Sequence, residues 1–359
     1  MKKTLNTLIV MLLMFTAVLN FTACKKDDKN NPDINPGTAQ NLIILIGDGM
    51  GLNHIHNTKT YFGLNNQGFE NNYVANINTN SLTDGEPTDS SAAATALATG
   101  TSVYNGEVGY TSGQNLKNIM EYASDKNMLT GIITNDNLYG ATPAGFSTHA
   151  KNRGDTTDII LGQSVSPIDL MIGKYDEAYY ANQTAFTSNG FVMCNNKEDL
   201  YNTPSSQKVV ANLNNIYSIY NPNKTNQTNM VDLVRYAVNY LDNENGFVLM
   251  VECGYIDKFS HSNDIVSALA EVRTLFDIAN YVCEYIDNNN DTALIVTADH
   301  ETGGLQKANN KNQINNNLFT TGAHTNSKVG LFVRGMDVRV TNEPKNTFVY
   351  EICYKVVEN

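Results

Sequence analysis

The sequence predicts an α/β fold built on a mostly parallel sheet, and three observations carry that reading. Apolar runs at 42–46, 247–251 and 293–297 are short, rich in Ile, Leu and Val, and each ends at or just before an acid: Asp48, Glu252 and Asp299. Runs that are apolar throughout, without alternation, mark strands buried on both faces. Between them lie segments with helical periodicity, among them Met230–Leu241 and 262–288, which gives the alternation expected of a parallel sheet with crossover helices. Open sheets of this kind build their sites beyond the carboxyl ends of the strands. Three carboxylates delivered to one edge are therefore candidate functional groups. The plain alternative for any one of them is a strand-to-loop turn, where Asp and Gly are common for backbone reasons.

Composition bounds the function. The 359 residues suffice for one large domain or two smaller ones. Lys and Arg number 24 against 36 Asp and Glu, a net charge of −12. That balance argues against nucleic acid as a partner, because such binding is led by cationic contacts to phosphate. Small anionic substrates stay open, since a bound divalent cation can invert the local field.

The N-terminus reads as an export signal. Lys2 and Lys3 precede an apolar stretch at 8–18 that is too short to favour a spanning helix. Cys24 follows a small residue and precedes Lys25-Lys26-Asp27-Asp28, which resembles a bacterial lipoprotein signal with Cys24 as the lipidated new N-terminus. A plain secretory signal is the alternative. The expected organisation is a signal at 1–23, a polar tether at 24–40 and a single domain at 41–359, in the cell envelope, periplasmic or anchored to the outer membrane. Loss of 1–23 removes two lysines and no acid, leaving 22 basic against 36 acidic residues and a net charge of −14. Cys194, Cys253, Cys283 and Cys353 remain. Spacing does not decide whether they pair, and without a C-x-x-C pair a cysteine zinc site is not expected.

Taken in order, the chain first offers residues 41–51, a strand cut off by Gly47-Asp48-Gly49. A helix over 52–60 follows, carrying His54 and His56; two positions apart, they face different directions and read as surface or supporting residues. In 88–100, Asp89 and Ser90 look like a helix start and Gly100 like its end, with small residues that allow close packing. A Ser90 hydroxyl at a helix N-terminus would face an anion-binding spot. It still needs activation, and with no histidine close behind it in sequence a metal is the natural agent. A helix over 115–125 and a strand over Leu129–Thr134 come next. Thr142, before Pro143, is expected to be extended. Arg153 has the planar fork that captures phosphate. Residues 155–245 carry no chemical motif. Asp257 and His261, four apart beyond Glu252, share one face of a helical turn. After the strand 293–297 come Asp299 and His300, and His324 precedes a strand over 329–333. Imidazole with carboxylate suits zinc, and an all-oxygen set suits magnesium.

The segments IGDGMG, TDSSAAATALATG, VECGYIDKFSH and TADHETGG, followed by GAHT, resemble the alkaline phosphatase family in order and spacing. The resemblance implies a three-layer α/β/α sandwich with a central mostly parallel sheet, and a phosphate monoesterase activity using two Zn2+ and one Mg2+. It implies Ser90 as the nucleophile that becomes phosphorylated. Asp48, Asp299 and His300 would hold one zinc, and Asp257, His261 and His324 the second. Asp48 would also bridge to a magnesium held by Thr142 and Glu252. Arg153 would clamp phosphate with Asp89 beside it as an orienting partner, and Lys258 would approach phosphate through water. Substrates would be small phosphate monoesters, and the assembly a monomer or homodimer.

Two features depart from the family pattern. Gly140 stands two residues before Thr142, where members place an Asp or His near the magnesium, so the third cation's affinity and identity stay open. His324 follows His300 by only 24 positions, which implies a reduced crown insertion. A sulfatase is not indicated, since neither C-x-P-x-R nor S-x-P-x-R surrounds Ser90. A phosphodiesterase of the same superfamily and a non-catalytic metal-binding surface lipoprotein are the remaining alternatives.

Overall fold

A computed structural model describes residues 32–65 and 68–359. The signal segment, Cys24 and the first part of the expected tether lie outside the described residues. Among the described residues a nine-stranded sheet forms the centre. Its strands are Asn41–Gly47 (β1), Tyr73–Ile77 (β2), Leu129–Thr134 (β3), Leu170–Lys174 (β4), Phe191–Cys194 (β5), Lys208–Leu213 (β6), Phe247–Cys253 (β7), Thr292–Thr297 (β8) and Val329–Arg334 (β9). The spatial order is β2-β9-β8-β1-β7-β3-β4-β6-β5, and only β9 runs antiparallel to its neighbours.

The three acid-terminated runs are the central strands. Every residue of β1, β7 and β8 is buried, as continuous apolar runs require. Register aligns their ends: Glu252 sits opposite Ile46 of β1 and Thr134 of β3, and Thr297 of β8 also faces Ile46. Asp48, Glu252, Asp299 and the residues after β3 therefore leave the sheet along one edge.

The helices used below are Leu52–Phe62 (α1), Ser90–Thr99 (α2), Ile119–Asp125 (α3), Ala141–Ser147 (α4), Met230–Leu241 (α5), Tyr255–His261 (α6), Ile265–Asn289 (α7) and Thr347–Val357 (α8). Helices α1, α5 and α7 cover one face of the sheet, and α2, α3, α4 and α8 the other. The result is the expected three-layer sandwich. None of the described helices is long and apolar enough to cross a membrane. Cys194, Cys253, Cys283 and Cys353 are all buried free thiols.

Several boundaries differ from expectation for identifiable reasons. The tether stops short of residue 40: Asp33–Asn35 pairs antiparallel with Asp337–Arg339, and Ala39 is fully buried. The helix expected over 115–125 begins at Ile119, because the Asn118 side chain accepts from the Met120 and Glu121 N–H groups and sets the start. The long helix likewise starts at Ile265, capped by Asp264. Thr142 is helical, not extended. Gly140 is the N-cap of α4, so Pro143 falls in the first turn, where its missing N–H leaves nothing unpaired. His54, expected at the surface or in a supporting place, is fully buried, with its Nε2 3.0 Å from Ser260 Oγ.

Between β8 and β9 the chain makes a short excursion in place of a large insertion. Glu301–Thr302 pairs antiparallel with His324–Thr325, Thr302 opposite His324. The intervening Leu305 and Phe319 pack on Ile265, Ala268 and Leu269 of α7. This two-residue ladder carries His324 back to the sheet edge.

Candidate active site

The site starts from the turn after β1. Gly49 sits at φ +73°, and a Cβ there would stand 2.8 Å from Thr302 Oγ1 and 3.0 Å from the Asp257 Cα. Only glycine satisfies both the backbone and the space, so three segments distant in sequence close on Asp48. The Gly49 N–H then donates to Asp299 Oδ1 (3.0 Å).

Ser90 opens α2. Asp89, its N-cap, accepts from the Ala92 N–H and the Ser91 hydroxyl, both at 2.9 Å. Its Oδ2 also accepts from the Gly106 N–H (3.0 Å) and Arg153 Nη1 (3.2 Å). Asp89 thus ties the helix start to the guanidinium. Ser90 is 4% exposed, and its Oγ lies 3.2 Å from His300 Nε2.

Two clusters of metal-type donors flank that hydroxyl. In the first, His300 Nε2 lies 3.5 Å from Asp48 Oδ1 and 3.3 Å from Asp299 Oδ2. In the second, Asp257, His261 and His324 offer one donor atom each, all within 4.8 Å of one another. His261 Nε2 is 3.2 Å from both Asp257 Oδ2 and His324 Nε2. Asp257 joins the clusters, since it also stands within 4.8 Å of donors on Asp48 and His300. The rings of His300 and His324 stack at 3.7 Å.

These donors suit cations for reasons visible in the hydrogen bonds. His261 Nδ1 donates to the Gly322 carbonyl (2.7 Å) and His324 Nδ1 to that of Thr88 (2.8 Å). Each bond engages Nδ1 and turns Nε2 toward the cluster, where it can ligate once a cation displaces any proton it carries, the usual arrangement behind a ligating imidazole. With both unprotonated, the two Nε2 lone pairs 3.2 Å apart repel unless something positive lies between them. Asp48 Oδ1, Asp299 Oδ2 and Thr142 Oγ1 are buried yet have no hydrogen-bond partner, which is costly without a compensating charge.

Titration behaviour agrees. Burial pushes the Asp299 carboxyl up to about 8, with Asp257 and Glu252 adding repulsion. Burial and the same crowding with Asp299 raise Asp48 well above its usual range. Burial carries Glu252 up to about 7 against the Thr134 hydroxyl that bonds it. Burial takes His300 down to about 3, with help from His324. Burial also works to raise Asp257, but His261, His300 and the Thr302 hydroxyl pull it below the ordinary carboxylate range. A site that crowds buried acids and imidazoles in this way is unfavourable empty and favourable around cations.

Glu252, Asp48, Ser90, Arg153, Asp257 and Lys258 all line one cavity of about 230 Å³. Thr142 is buried in the first turn of α4, beside this group. The structure therefore brings together Asp48, Asp89, Ser90, Thr142, Arg153, Glu252, Asp257, Lys258, His261, Asp299, His300 and His324. Sequence reasoning missed Thr302, whose hydroxyl donates to Asp257 Oδ1 (2.5 Å), and Asp136, which takes a 2.5 Å hydrogen bond from Lys258 Nζ. Asp136 carried a usable signal, since it too stands just past an apolar strand.

Comparison with known proteins agrees with this geometry. The sequence profile described as Alkaline phosphatase matches residues 39–170 and 181–349. Alkaline phosphatase 4 of Bacillus subtilis is 28% identical over 305 residues, covering 79% of this chain and 64% of the relative. Alkaline phosphatase 3 of the same organism is 27% identical over 323 residues, covering 84% and 70%. The chain thus spans about two thirds of the length of these relatives. Among solved structures, the alkaline phosphatase of the Antarctic bacterium TAB5 superposes with a TM-score of 0.78 at 24% identity, covering 91% of this chain and 99% of that one. A histidine-to-glutamate variant of the TAB5 enzyme, similar at a TM-score of 0.77, 24% identity and the same coverage, is described with magnesium bound in its M3 site. With the profile matched across most of the chain and the fold shared, this protein belongs to the alkaline phosphatase family.

Proposed function

We propose that the protein is a metal-dependent phosphate monoester hydrolase acting through a phosphoserine at Ser90. The observation that carries this reading is the Ser90 hydroxyl at a helix N-terminus, 3.2 Å from His300 Nε2, in one cavity with Arg153 and flanked by two donor clusters. In this reading Asp48, Asp299 and His300 hold one zinc, Asp257, His261 and His324 a second, and Asp48, Thr142 and Glu252 a magnesium. The unpartnered buried oxygens on Asp48, Asp299 and Thr142 support that assignment. Bound cations would supply Lewis acidity and positive charge at the reacting oxygens.

The chain's own groups do the rest. Arg153, braced by Asp89, receives two phosphate oxygens and sets the phosphorus in front of Ser90. Ser90 Oγ gives up its proton and bonds to phosphorus as the bond from phosphorus to the ester oxygen breaks on the opposite side, and that oxygen takes up a proton and departs as the alcohol. Water then cleaves the phosphoserine and inorganic phosphate departs. The helix N-terminus and Lys258 offset charge on the non-reacting oxygens. Export with a lipid on Cys24 would place this activity in the cell envelope, on small phosphate monoesters, as a monomer or homodimer.

The test compares a phosphomonoester, a phosphodiester and a sulfate ester with the purified, metal-replete protein. Monoester turnover should dominate, and Ser90→Ala should abolish phosphoenzyme formation while leaving metal content near normal. Preference for the diester would favour the phosphodiesterase reading, and no turnover with full metal content would favour a binding lipoprotein. Undiminished monoester turnover by Ser90→Ala would contradict the nucleophile assignment.

A further inference from the structure

Among the described residues Lys258 is the one ammonium lining the cavity, and it is held from two sides. Its Nζ donates to Asp136 Oδ1 at 2.5 Å and lies 5.4 Å from the centre of the Tyr255 ring. Asp136 follows β3, and its main chain is pinned twice: its N–H donates to Thr134 Oγ1 (3.0 Å), and its carbonyl accepts from the Lys174 N–H (2.9 Å). The Thr134 hydroxyl in turn donates to Glu252 Oε2. Asp136 and Glu252 are therefore linked through one threonine.

They are also close in space. A Cβ on Gly254 would stand 3.0 Å from the Asp136 Cβ and 3.4 Å from the Glu252 carboxyl carbon. Residue 140, two before Thr142, is a glycine, and a Cβ there would meet the Asn137 carbonyl oxygen at 2.8 Å. That position is closed to any side chain without a backbone shift, and Asp136, earlier in the same loop, is the acid that reaches Lys258.

We infer that Asp136 is a positioning residue that substitutes, from the loop after β3, for a side chain at residue 140. It orients Lys258 toward bound phosphate and adds a third carboxylate, beside those of Glu252 and Asp48, for a magnesium-class cation. This rests on the phosphate-hydrolase reading of the same cavity. Magnesium keeps several waters when bound by one or two carboxylates, and an acid at the cavity wall that does not bind it directly can hold those waters.

The experiment uses the full chain with the two imidazole-containing sites filled by zinc. Mn2+ is titrated by electron paramagnetic resonance as a stand-in for magnesium, and inorganic phosphate binding is measured by calorimetry. Asp136→Asn, Lys258→Ala and the double variant are compared with the parent, with circular dichroism to confirm folding; Asp136→Ala serves as the second replacement. Asp136→Asn should weaken Mn2+ by about tenfold or more. Lys258→Ala should weaken phosphate by about tenfold in the parent but by less than about threefold in Asp136→Asn, because the ammonium is already misplaced. Mn2+ affinity within twofold of the parent, together with an undiminished Lys258 effect, would overturn the inference. A parent that binds Mn2+ and phosphate but hydrolyses no ester would contradict only the catalytic reading, and the binding arms would still report on Asp136.

Discussion

The two donor clusters use the same residue types in opposite surroundings. His300 is fully buried, and burial holds it neutral, down to about 3. The His261 side chain is 41% exposed, and its hydrogen bond to Asp257 holds it protonated up to about 9. The difference teaches that the first cluster is built by the core and the second by hydrogen bonds at the rim. Asp48, Asp299 and His300 stand on the ends of fully buried strands and cannot move without disturbing the sheet. His261 and His324 are held by carbonyls of the loops at Thr88 and Gly322. The buried cluster should therefore be the tighter and less forgiving cation site.

Breaking each cluster in turn gives the largest contrast. His300→Ala should lower kcat/KM by more than about 100-fold, with zinc stoichiometry reduced by one and no recovery in excess zinc. His261→Ala should cost about 10–100-fold, part of it restored by added zinc. Steady-state kinetics with metal analysis reads both. Equal, non-recoverable losses would erase the distinction.

The pH dependence of stability sharpens it. Asp299 (about 8) and Glu252 (about 7) have folded-state values above those of the unfolded chain. Their favourable contribution is fully present below about pH 4 and is lost as pH rises through 7–8. Metal-stripped protein should therefore show a falling Tm across that window, and Asp299→Asn should flatten part of the fall. Refilling with zinc and magnesium should remove it. Glu271 provides the internal control. Burial in α7 raises its carboxyl to about 8, its partners are the Ser218 N–H and Asn135 Nδ2, and among the described residues it belongs to neither donor cluster. Its share of the slope should survive metal addition. His261 behaves in the same sense for a different reason: its stabilisation, present below about 6.5, is lost as pH rises through 9.

The smallest effect should come from Thr302, whose hydroxyl donates to Asp257 Oδ1 and lies 3.3 Å from His300 Nδ1. Thr302→Val removes the hydroxyl that donates to Asp257 Oδ1 and should weaken the second zinc by about tenfold, with a smaller loss at the first through His300. Competition with a chelating dye resolves the two sites.

Much of this site was legible in the sequence, because a carboxylate closing an apolar run is a local signal. Asp48, Glu252 and Asp299 each gave it, and the register of β1, β7 and β8 placed them together. Asp257 and His261 were readable from helical spacing. His324 stood out only as a histidine ahead of a strand, and its role came through family resemblance, since a two-residue ladder with Glu301–Thr302 brings it to His300 and no local pattern encodes that pairing. Thr142 was misread because the rule for a residue before proline gives way when proline falls in a helix's first turn. Asp136 gives the same strand-end signal, but nothing local reveals its partner, Lys258, 122 positions away. The edge pairing of Asp33–Asn35 is equally non-local, and its polar composition looked like tether.

The most direct test of the account is anomalous diffraction at the zinc edge from crystals of the zinc-loaded protein. The account predicts one peak among Asp48, Asp299 and His300 and another among Asp257, His261 and His324, on either side of the Ser90 hydroxyl. Peaks elsewhere, or none with these side chains in place, would contradict it.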